Sequence, residues 1–151
     1  MLGLVFEWSE YWGSPYGMES EDRELIKGLT PLNDMSYTAV AEDCLFCKIA
    51  SKRIPADVIF EDDKVVAFKD IEPQAPVHIL VIPKVHIPTI NGLSDASVAG
   101  HLVLTATSLA SQLGISESGY RLVMNCNEDG GQTVFHIHLH ILGGHQLTSM
   151  V

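Results

Sequence analysis

The chain is poor in basic residues. It has 9 lysines and arginines against 19 aspartates and glutamates, and its formal net charge at pH 7 is −10. A protein that grips an extended nucleic acid neutralises many phosphates with basic side chains, so this balance argues against such a partner. A small pocket that holds one phosphate through backbone N–H groups stays compatible with the charge.

Long apolar runs are also missing. The longest apolar stretch, near 134–142, is broken by three histidines and is far shorter than the ~20 residues of a membrane-spanning helix. The first residues, MLGLVF, lead at once into Glu7 and Glu10, whereas a secretory signal has a basic start and a longer apolar segment. We therefore expect an intracellular protein, cytoplasmic or also nuclear, with no membrane partner.

Cysteine is scarce, with 3 among 151 residues. An odd number, with Cys44 and Cys47 in a Cys-x-x-Cys pair, fits a reducing compartment better than a disulfide framework. A single domain of this length buries about 70% of the surface that its unfolded chain exposes, so it needs no disulfide or metal merely to fold. The apolar fraction of 46% is typical of a globular protein.

Two regions of the chain differ in pattern. Residues 1–42 carry aromatics, scattered acids, glycine and proline without a sustained period, which indicates a largely irregular N-terminal extension. Residues 43–151 form the predicted domain. Its predicted elements are a helix at 44–51 with Asp43 as N-cap, strands at 58–61, 64–69 and 77–82, a helix at 95–113 ended by Gly114, and strands at 120–126 and 134–142. This order predicts an α+β fold with a mostly antiparallel sheet.

The last predicted strand contains the sequence HIHLH at 136–140. Because side chains alternate along a strand, His136, His138 and His140 share one face, and the intervening apolar residues pack on the core. Three imidazoles in a row are a costly choice for a buried sheet face, and a solvated face would more often carry threonine, lysine or glutamate. The pattern therefore favours a function, either metal chelation or nucleophilic catalysis.

The residues that lead into this strand favour catalysis on a phosphate. Gly130 and Gly131 let the backbone approach a ligand closely. The N–H groups there, with the Gln132 amide and the Thr133 hydroxyl, can hold phosphate oxygens. A glycine pair alone is weak evidence, but its coupling to three alternating histidines is strong.

Here the resemblance to a family becomes specific. The run GGQTVFHIHLHILGG resembles the histidine triad of the HIT superfamily, and residues 43–87 resemble its histidine triad nucleotide-binding branch. The similarity extends over 43–146. It implies a five-stranded antiparallel sheet with two helices, in a homodimer whose two sheets continue into one. It also implies hydrolysis of purine nucleoside phosphoramidates, such as AMP-amine or AMP-lysine conjugates, without an organic cofactor.

The resemblance also implies roles for individual residues. His138 would be the nucleophile that forms a nucleotidyl-histidine, supported by His140, His136 and His78. Asp70 would grip the ribose hydroxyls. The apolar base pocket would comprise Leu45, Phe46, Ile49, Phe68 and Ile71, and the phosphate-side contacts would be Asn125, Gly131, Gln132 and Thr133.

A second group of residues has the spacing of a structural zinc site. Cys44 and Cys47 could supply two thiolates, and His86 and His136 resemble the other two ligands in some HIT relatives. If zinc is bound, His136 is a ligand and not part of a proton relay, and the sequence leaves both assignments open. The alternative is that both cysteines are small hydrophobic residues on a helix beside the pocket.

Three functions remain open at this point. The first is the phosphoramidase, and the second is a HIT-type hydrolase of dinucleoside polyphosphates or other nucleotidyl groups. The third is a nucleotide-binding scaffold whose catalysis is vestigial. A zinc hydrolase centred on His136 and His138 is a weaker fourth hypothesis. It would lose all activity to a chelator, whereas the His138 mechanism need not.

Overall fold

The computed structural model describes residues 41–149. The prediction of an irregular extension over 1–42 therefore lies almost entirely outside the described residues. Within 41–149, a single five-stranded antiparallel sheet has the order β1-β2-β3-β5-β4. The strands are β1 (Val58–Glu61), β2 (Val65–Lys69), β3 (Val77–Pro83), β4 (Tyr120–Val123) and β5 (Leu139–Gly143). The predicted α+β architecture and the order of elements along the chain are confirmed.

In the same described residues, two helices cover the sheet, α1 (Leu45–Ala50) and α2 (Ala96–Gln112), and a 3₁₀ turn spans Ile90–Gly92. The Asp95 carboxylate caps α2 by accepting the Ser97 N–H. Gly114 ends the helix with a φ of 71°, a left-handed conformation that favours glycine. The helix predicted at 95–113 is confirmed, with its two end residues as caps. No helix among residues 41–149 has both the length and the apolar character that crossing a membrane requires.

The strands alternate between two apolar clusters, one on each face of the sheet. On one face, α2 packs through Leu102, Ala106 and Leu109 against alternate residues of β2, β3 and β5. On the other face, α1 packs through Phe46 and Ile49 against the intervening residues of β2 and β3. β3 is the central strand and six of its seven residues are buried, so it carries side chains into both clusters.

Three predicted boundaries are wrong. The first helix is capped by Cys44 and not by Asp43, because the Cys44 sulfur accepts the Cys47 N–H. The strand predicted at 120–126 ends at Val123, and the strand predicted at 134–142 begins only at Leu139. The segment before Leu139 leaves the sheet because its backbone groups have other partners: the His136 N–H donates to the Val134 carbonyl, and the Ile137 N–H donates to the Ile87 carbonyl. His136 and His138 therefore precede the strand.

Candidate functional site

The predicted alternation of HIHLH survives this early end of the strand. Ile137, Leu139 and Ile141 lie in the cluster beneath α2. The histidines lie on the α1 side, where the edge of the Phe46 ring packs against His136 and His138 with centroid separations of 6.0 and 5.1 Å. His136 and His138 are 0% and 5% exposed, so neither ring is a solvated surface group.

The His138 ring is held in one tautomer. Its Nδ1 lies 2.7 Å from the carbonyl oxygen of His136, an acceptor only, so Nδ1 must carry the proton. The lone pair is therefore on Nε2. A neutral imidazole with a fixed ring and a free Nε2 is the form that a nitrogen nucleophile needs.

His78, His140 and Asp70 form a second constellation, here called the Asp–His–His cluster. The Gln74 N–H donates to His78 Nδ1 at 3.0 Å, so His78 carries its proton on Nε2. That nitrogen lies 2.9 Å from His140 Nδ1 and 3.4 Å from a carboxylate oxygen of Asp70. When it donates to His140 Nδ1, the remaining proton of His140 is on Nε2, and this buried nitrogen has no hydrogen-bond partner among the described residues.

Burial keeps these imidazoles neutral. Burial lowers the pKa of His78, partly offset by the negative charge of Asp70. Burial, followed by the charges on His138 and His78, lowers the pKa of His140 to about 4. Both rings are therefore uncharged at pH 7, and each can donate one hydrogen bond and accept another.

The four predicted zinc ligands converge, and we call Cys44, Cys47, His86 and His136 the Cys/His cluster. One potential ligand atom from each lies within 4.8 Å of all the others. His136 Nδ1 lies 3.4 and 3.5 Å from the sulfurs of Cys44 and Cys47 and 3.3 Å from His86 Nδ1. Around a tetrahedral zinc, sulfur and nitrogen ligands stand about 3.5 Å apart and two nitrogens about 3.3 Å apart. The residues present therefore fit zinc.

The surroundings of the Cys/His cluster agree with that fit. His136 Nε2 donates to the Pro83 carbonyl at 2.8 Å, so its lone pair is on Nδ1, which faces the two sulfurs. Such an outer hydrogen bond usually orients a metal-binding histidine. Burial lowers the pKa of His86 and takes that of His136 to about 4, which keeps both rings in the neutral form that binds a metal. The His136 ring thus lies within this cluster, with Nδ1 toward the sulfurs and Nε2 on the Pro83 carbonyl.

The predicted base pocket is assembled only in part. Phe46, Ile49 and Phe68 share the apolar cluster beneath α1, with the rings of Phe46 and Phe68 in edge-to-face contact at 5.6 Å. Leu45 is 44% exposed on the same helix. Ile71 is 94% exposed, so the structure does not bring it into this cluster.

In the glycine turn before the histidines, two backbone N–H groups and the Gln132 amide already form hydrogen bonds within the protein. The N–H groups of Gly131 and Gln132 donate to the carbonyls of Glu128 and Asn127. The Gln132 amide is also engaged, since Nε2 donates to the Pro88 and Val134 carbonyls and Oε1 accepts the Asn127 N–H. Thr133 keeps an exposed side chain, and Asn125 is half-buried. Gly130 is required for packing, because a Cβ there would lie 2.3 Å from the Cys126 carbonyl.

Sequence reasoning missed the backbone groups of the site. The Gln74 N–H and the carbonyls of Pro83 and His136 set which nitrogen of three imidazoles carries the proton. Every residue has these groups, so no side-chain pattern indicates them. The pairing of a histidine with a carbonyl two residues earlier could have been suspected only once the segment was known to leave the strand.

Together, the antiparallel sheet with its two helices and the buried histidines that follow a glycine turn define a histidine triad protein. A family model described as the HIT domain matches residues 51–147, and the chain belongs to this family.

Individual relatives support the assignment. The chain is 49% identical over 114 residues to a protein of Escherichia coli named purine nucleoside phosphoramidase, covering 74% of this chain and 96% of that one. The structure of the present chain is similar to that of a HIT family hydrolase from Legionella pneumophila, with 56% identity and a TM-score of 0.69. The match covers 70% of this chain and 96% of that one. The present chain is also similar to a zinc-bound histidine triad family protein from Mycobacterium smegmatis, with 31% identity, a TM-score of 0.61, and coverage of 67% and 74%.

Proposed function

We propose that this chain is a purine nucleoside phosphoramidase. It hydrolyses the P–N bond of AMP-amine or AMP-lysine conjugates through a nucleotidyl-histidine intermediate on His138. The name and 49% identity of the Escherichia coli relative support the substrate class. The rest of the support is the arrangement of imidazole nitrogens around His138.

One observation carries the proposal: a free nucleophilic nitrogen and an unsatisfied donor belong to adjacent rings. The rings of His138 and His140 are 4.9 Å apart, centroid to centroid. The Nε2 of His140 is buried and lacks a partner among residues 41–149. Buried polar atoms are nearly always hydrogen-bonded, so this donor marks where a ligand oxygen belongs.

The chemistry follows from these positions. His138 Nε2 attacks the α-phosphorus, the P–N bond breaks, and the amine departs with a proton taken from the medium. The His140 N–H stabilises the charge on the nonbridging oxygens, in the manner of an oxyanion hole. Water then attacks the nucleotidyl-histidine, which releases AMP, restores His138 and returns one proton to the medium. The His136 carbonyl holds the Nδ1 proton throughout and stabilises the positive charge that develops on the ring.

The Cys/His cluster argues against a metal as the catalytic centre. Zinc sites with four protein ligands are structural, whereas catalytic zinc keeps one position open for water or substrate. The cluster offers four protein ligands. Zinc bound there would tie α1 to the segments around His86 and His136, and we assign it no step of the reaction.

The first experiment follows AMP release from adenosine 5′-monophosphoramidate. We expect turnover by the wild type and none by His138→Ala. The matched control is His101→Gln, which replaces a histidine of α2 on the opposite face of the sheet. Loss of activity in His138→Ala alone, with both variants folded by circular dichroism, supports the proposal.

A dinucleoside polyphosphate, assayed in parallel, separates the rival functions. Faster turnover of the polyphosphate would favour the second candidate, a HIT hydrolase of other nucleotidyl groups. Tight AMP binding without turnover of either substrate would mean a nucleotide-binding scaffold and would overturn the proposal.

We also propose that the protein is a homodimer in the cytoplasm. β4 is an edge strand, so its outer backbone groups can pair with a second copy. On α2, the adjacent Val103 and Leu104 are 44% and 68% exposed, so they offer apolar surface that a second copy could cover. Sedimentation of the wild type and of Leu104→Glu tests this, with a shift toward monomer expected for the variant. The Escherichia coli relative supports a cytoplasmic location and lends no support to a nuclear one.

A further inference from the structure

We infer that His136 is a positioning residue that couples the Cys/His cluster to the orientation of the nucleophile. Its ring faces the sulfurs of Cys44 and Cys47, and its backbone carbonyl accepts the Nδ1 proton of His138. This inference rests on the proposed function, because it treats His138 as the group that attacks phosphorus. It assigns the cluster an effect on the reaction without placing a metal in the chemistry.

The first support is the unusual backbone of this segment. β5 begins at Leu139, so the peptide groups that orient His138 are not held by the sheet ladder. The described anchors of His136 and Ile137 are the bonds to the carbonyls of Val134, Pro83 and Ile87. Ile87 directly follows His86, a member of the Cys/His cluster. The segment from Pro83 to Ile87 therefore contacts both residues that precede His138, namely His136 and Ile137.

The direction of the His136 carbonyl depends on the placement of its ring. The ring is 0% exposed, with one nitrogen on the Pro83 carbonyl and the other on the sulfurs and His86. Without a cation, the Nδ1 lone pair faces two sulfurs and another imidazole nitrogen. Neutral thiols are weak donors, so they compensate the burial of these polar atoms poorly. A metal satisfies all of these atoms at once and fixes both the ring and its carbonyl.

The second support comes from α1. This helix has only six residues, too few to be stable alone, and Cys44 is its N-cap. Between its two cysteine ligands lies Phe46, whose ring packs against His138 at 5.1 Å. The Cys/His cluster therefore fixes both the hydrogen-bond acceptor of His138 and the ring that lies beside it. Loss of the cluster should disturb catalysis without removing any residue that touches the reacting phosphate.

The test uses His86→Ala, which removes one ligand and leaves the proposed catalytic residues intact. His86→Cys is its rescue variant, because a Cys₃His set still binds zinc. Leu109→Ala controls for lost stability, since Leu109 is a buried residue of α2 and packs on the opposite face of the sheet. Each full-length protein is purified with zinc and assayed for bound metal and folded fraction. The further readouts are kcat and KM for adenosine 5′-monophosphoramidate and the histidine tautomers by ¹⁵N NMR.

We expect wild type and His86→Cys to bind zinc and to show a His138 signal with the proton fixed on Nδ1. In His86→Ala, that signal should average between tautomers, and kcat should fall about 10- to 100-fold, as for other changes around metal ligands. Leu109→Ala should lose stability while its tautomer signal and kcat per folded molecule stay at wild-type values.

Two outcomes would overturn the inference. One is a folded, metal-free His86→Ala that keeps both the fixed tautomer and the wild-type kcat. The other is a wild-type protein that binds no zinc. If the wild type binds zinc but does not turn over the phosphoramidate, the proposed function fails, and the tautomer signal alone decides whether the cluster orients His138.

Discussion

The two faces of the sheet are lined by alternate residues of the same strands, and they differ in the buried histidines that accompany one of the two apolar clusters. Beneath α2, the buried residues are almost entirely aliphatic, as with Ile137 and Ile141, which are both 0% exposed. Beneath α1, the buried residues include His78, His136 and His138. Every polar atom buried on the second face needs a partner, whereas the first face needs only close packing. The comparison suggests that one face determines stability and the other the chemistry.

The largest expected effect concerns the histidine face. His140→Asn removes the unsatisfied Nε2 donor, and we expect kcat/KM for the phosphoramidate to fall by about 10² to 10⁴, the usual contribution of a catalytic proton-transfer or donor group. At pH 7 stability should change little, because His140 Nε2 has no described partner to lose and the Asn Oδ1 can replace Nδ1 as the acceptor of the His78 Nε2–H. Steady-state kinetics with thermal unfolding measure both quantities. Activity within a few-fold of wild type would mean that another group stabilises the phosphate.

The aliphatic face should show the reverse behaviour. Leu102 lies on the sheet-facing side of α2 and is 0% exposed, and Leu102→Ala should lower the free energy of unfolding by about 2–5 kcal/mol. The variant's kcat, corrected for the folded fraction, should equal that of the wild type. Denaturant unfolding and kinetics at low temperature test this. A lowered kcat in fully folded protein would show that the two faces are not separable.

The sequence predicted the aliphatic face well because alternation is a local property. The α2 boundaries and the inward position of Ile137, Leu139 and Ile141 all follow from periods visible in the letters. For the histidine face, the sequence predicted which residues belong to it but not the orientation of their rings or which nitrogen carries the proton. Which ring faces the thiols and which stays free depends on three backbone groups, those of Gln74, Pro83 and His136.

The wrong strand start has the same origin. The apolar alternation through 134–142 predicts a continuous strand, yet pairing with β3 begins only at Leu139, opposite Val81. Long-range hydrogen bonds, such as that of Ile137 to Ile87, decide where pairing begins. The periodicity of apolar residues in the sequence carries no information about these long-range hydrogen bonds.

The pH dependence of stability offers an intermediate effect. Burial holds the pKa of His140 at about 4, whereas an unfolded histidine titrates near 6.5. Between these values the unfolded state binds more protons, so this group lowers the free energy of unfolding as pH falls, by of the order of 3 kcal/mol. Above pH 6.5 the His140 ring is neutral in both the folded and the unfolded state, so this loss of stability is absent. Urea unfolding from pH 7 to 4 should therefore be less pH-dependent in His140→Asn than in wild type, and unchanged in slope in Leu102→Ala. Equal slopes in all three proteins would contradict the assignment.

The smallest effect concerns Gln132. By sequence it resembles a phosphate contact, but in the structure its amide stabilises the turn through hydrogen bonds to the backbone. Its amide makes three hydrogen bonds to backbone groups of Asn127, Pro88 and Val134. We expect Gln132→Ala to lower the free energy of unfolding by about 1–3 kcal/mol while the affinity of the folded protein for AMP changes little.

Thr133→Ala is the matched variant for that experiment. The Thr133 side chain is exposed, so its removal should change stability by less than about 0.5 kcal/mol. Thr133→Ala should weaken AMP binding, because we expect the Thr133 hydroxyl to contact the phosphate. Calorimetric titration with AMP and thermal unfolding separate the two residues. Weakened AMP binding in Gln132→Ala but not in Thr133→Ala would contradict both expectations and would mean that the turn rearranges when nucleotide binds. The amide of Gln132 would then be released from the backbone to meet the phosphate.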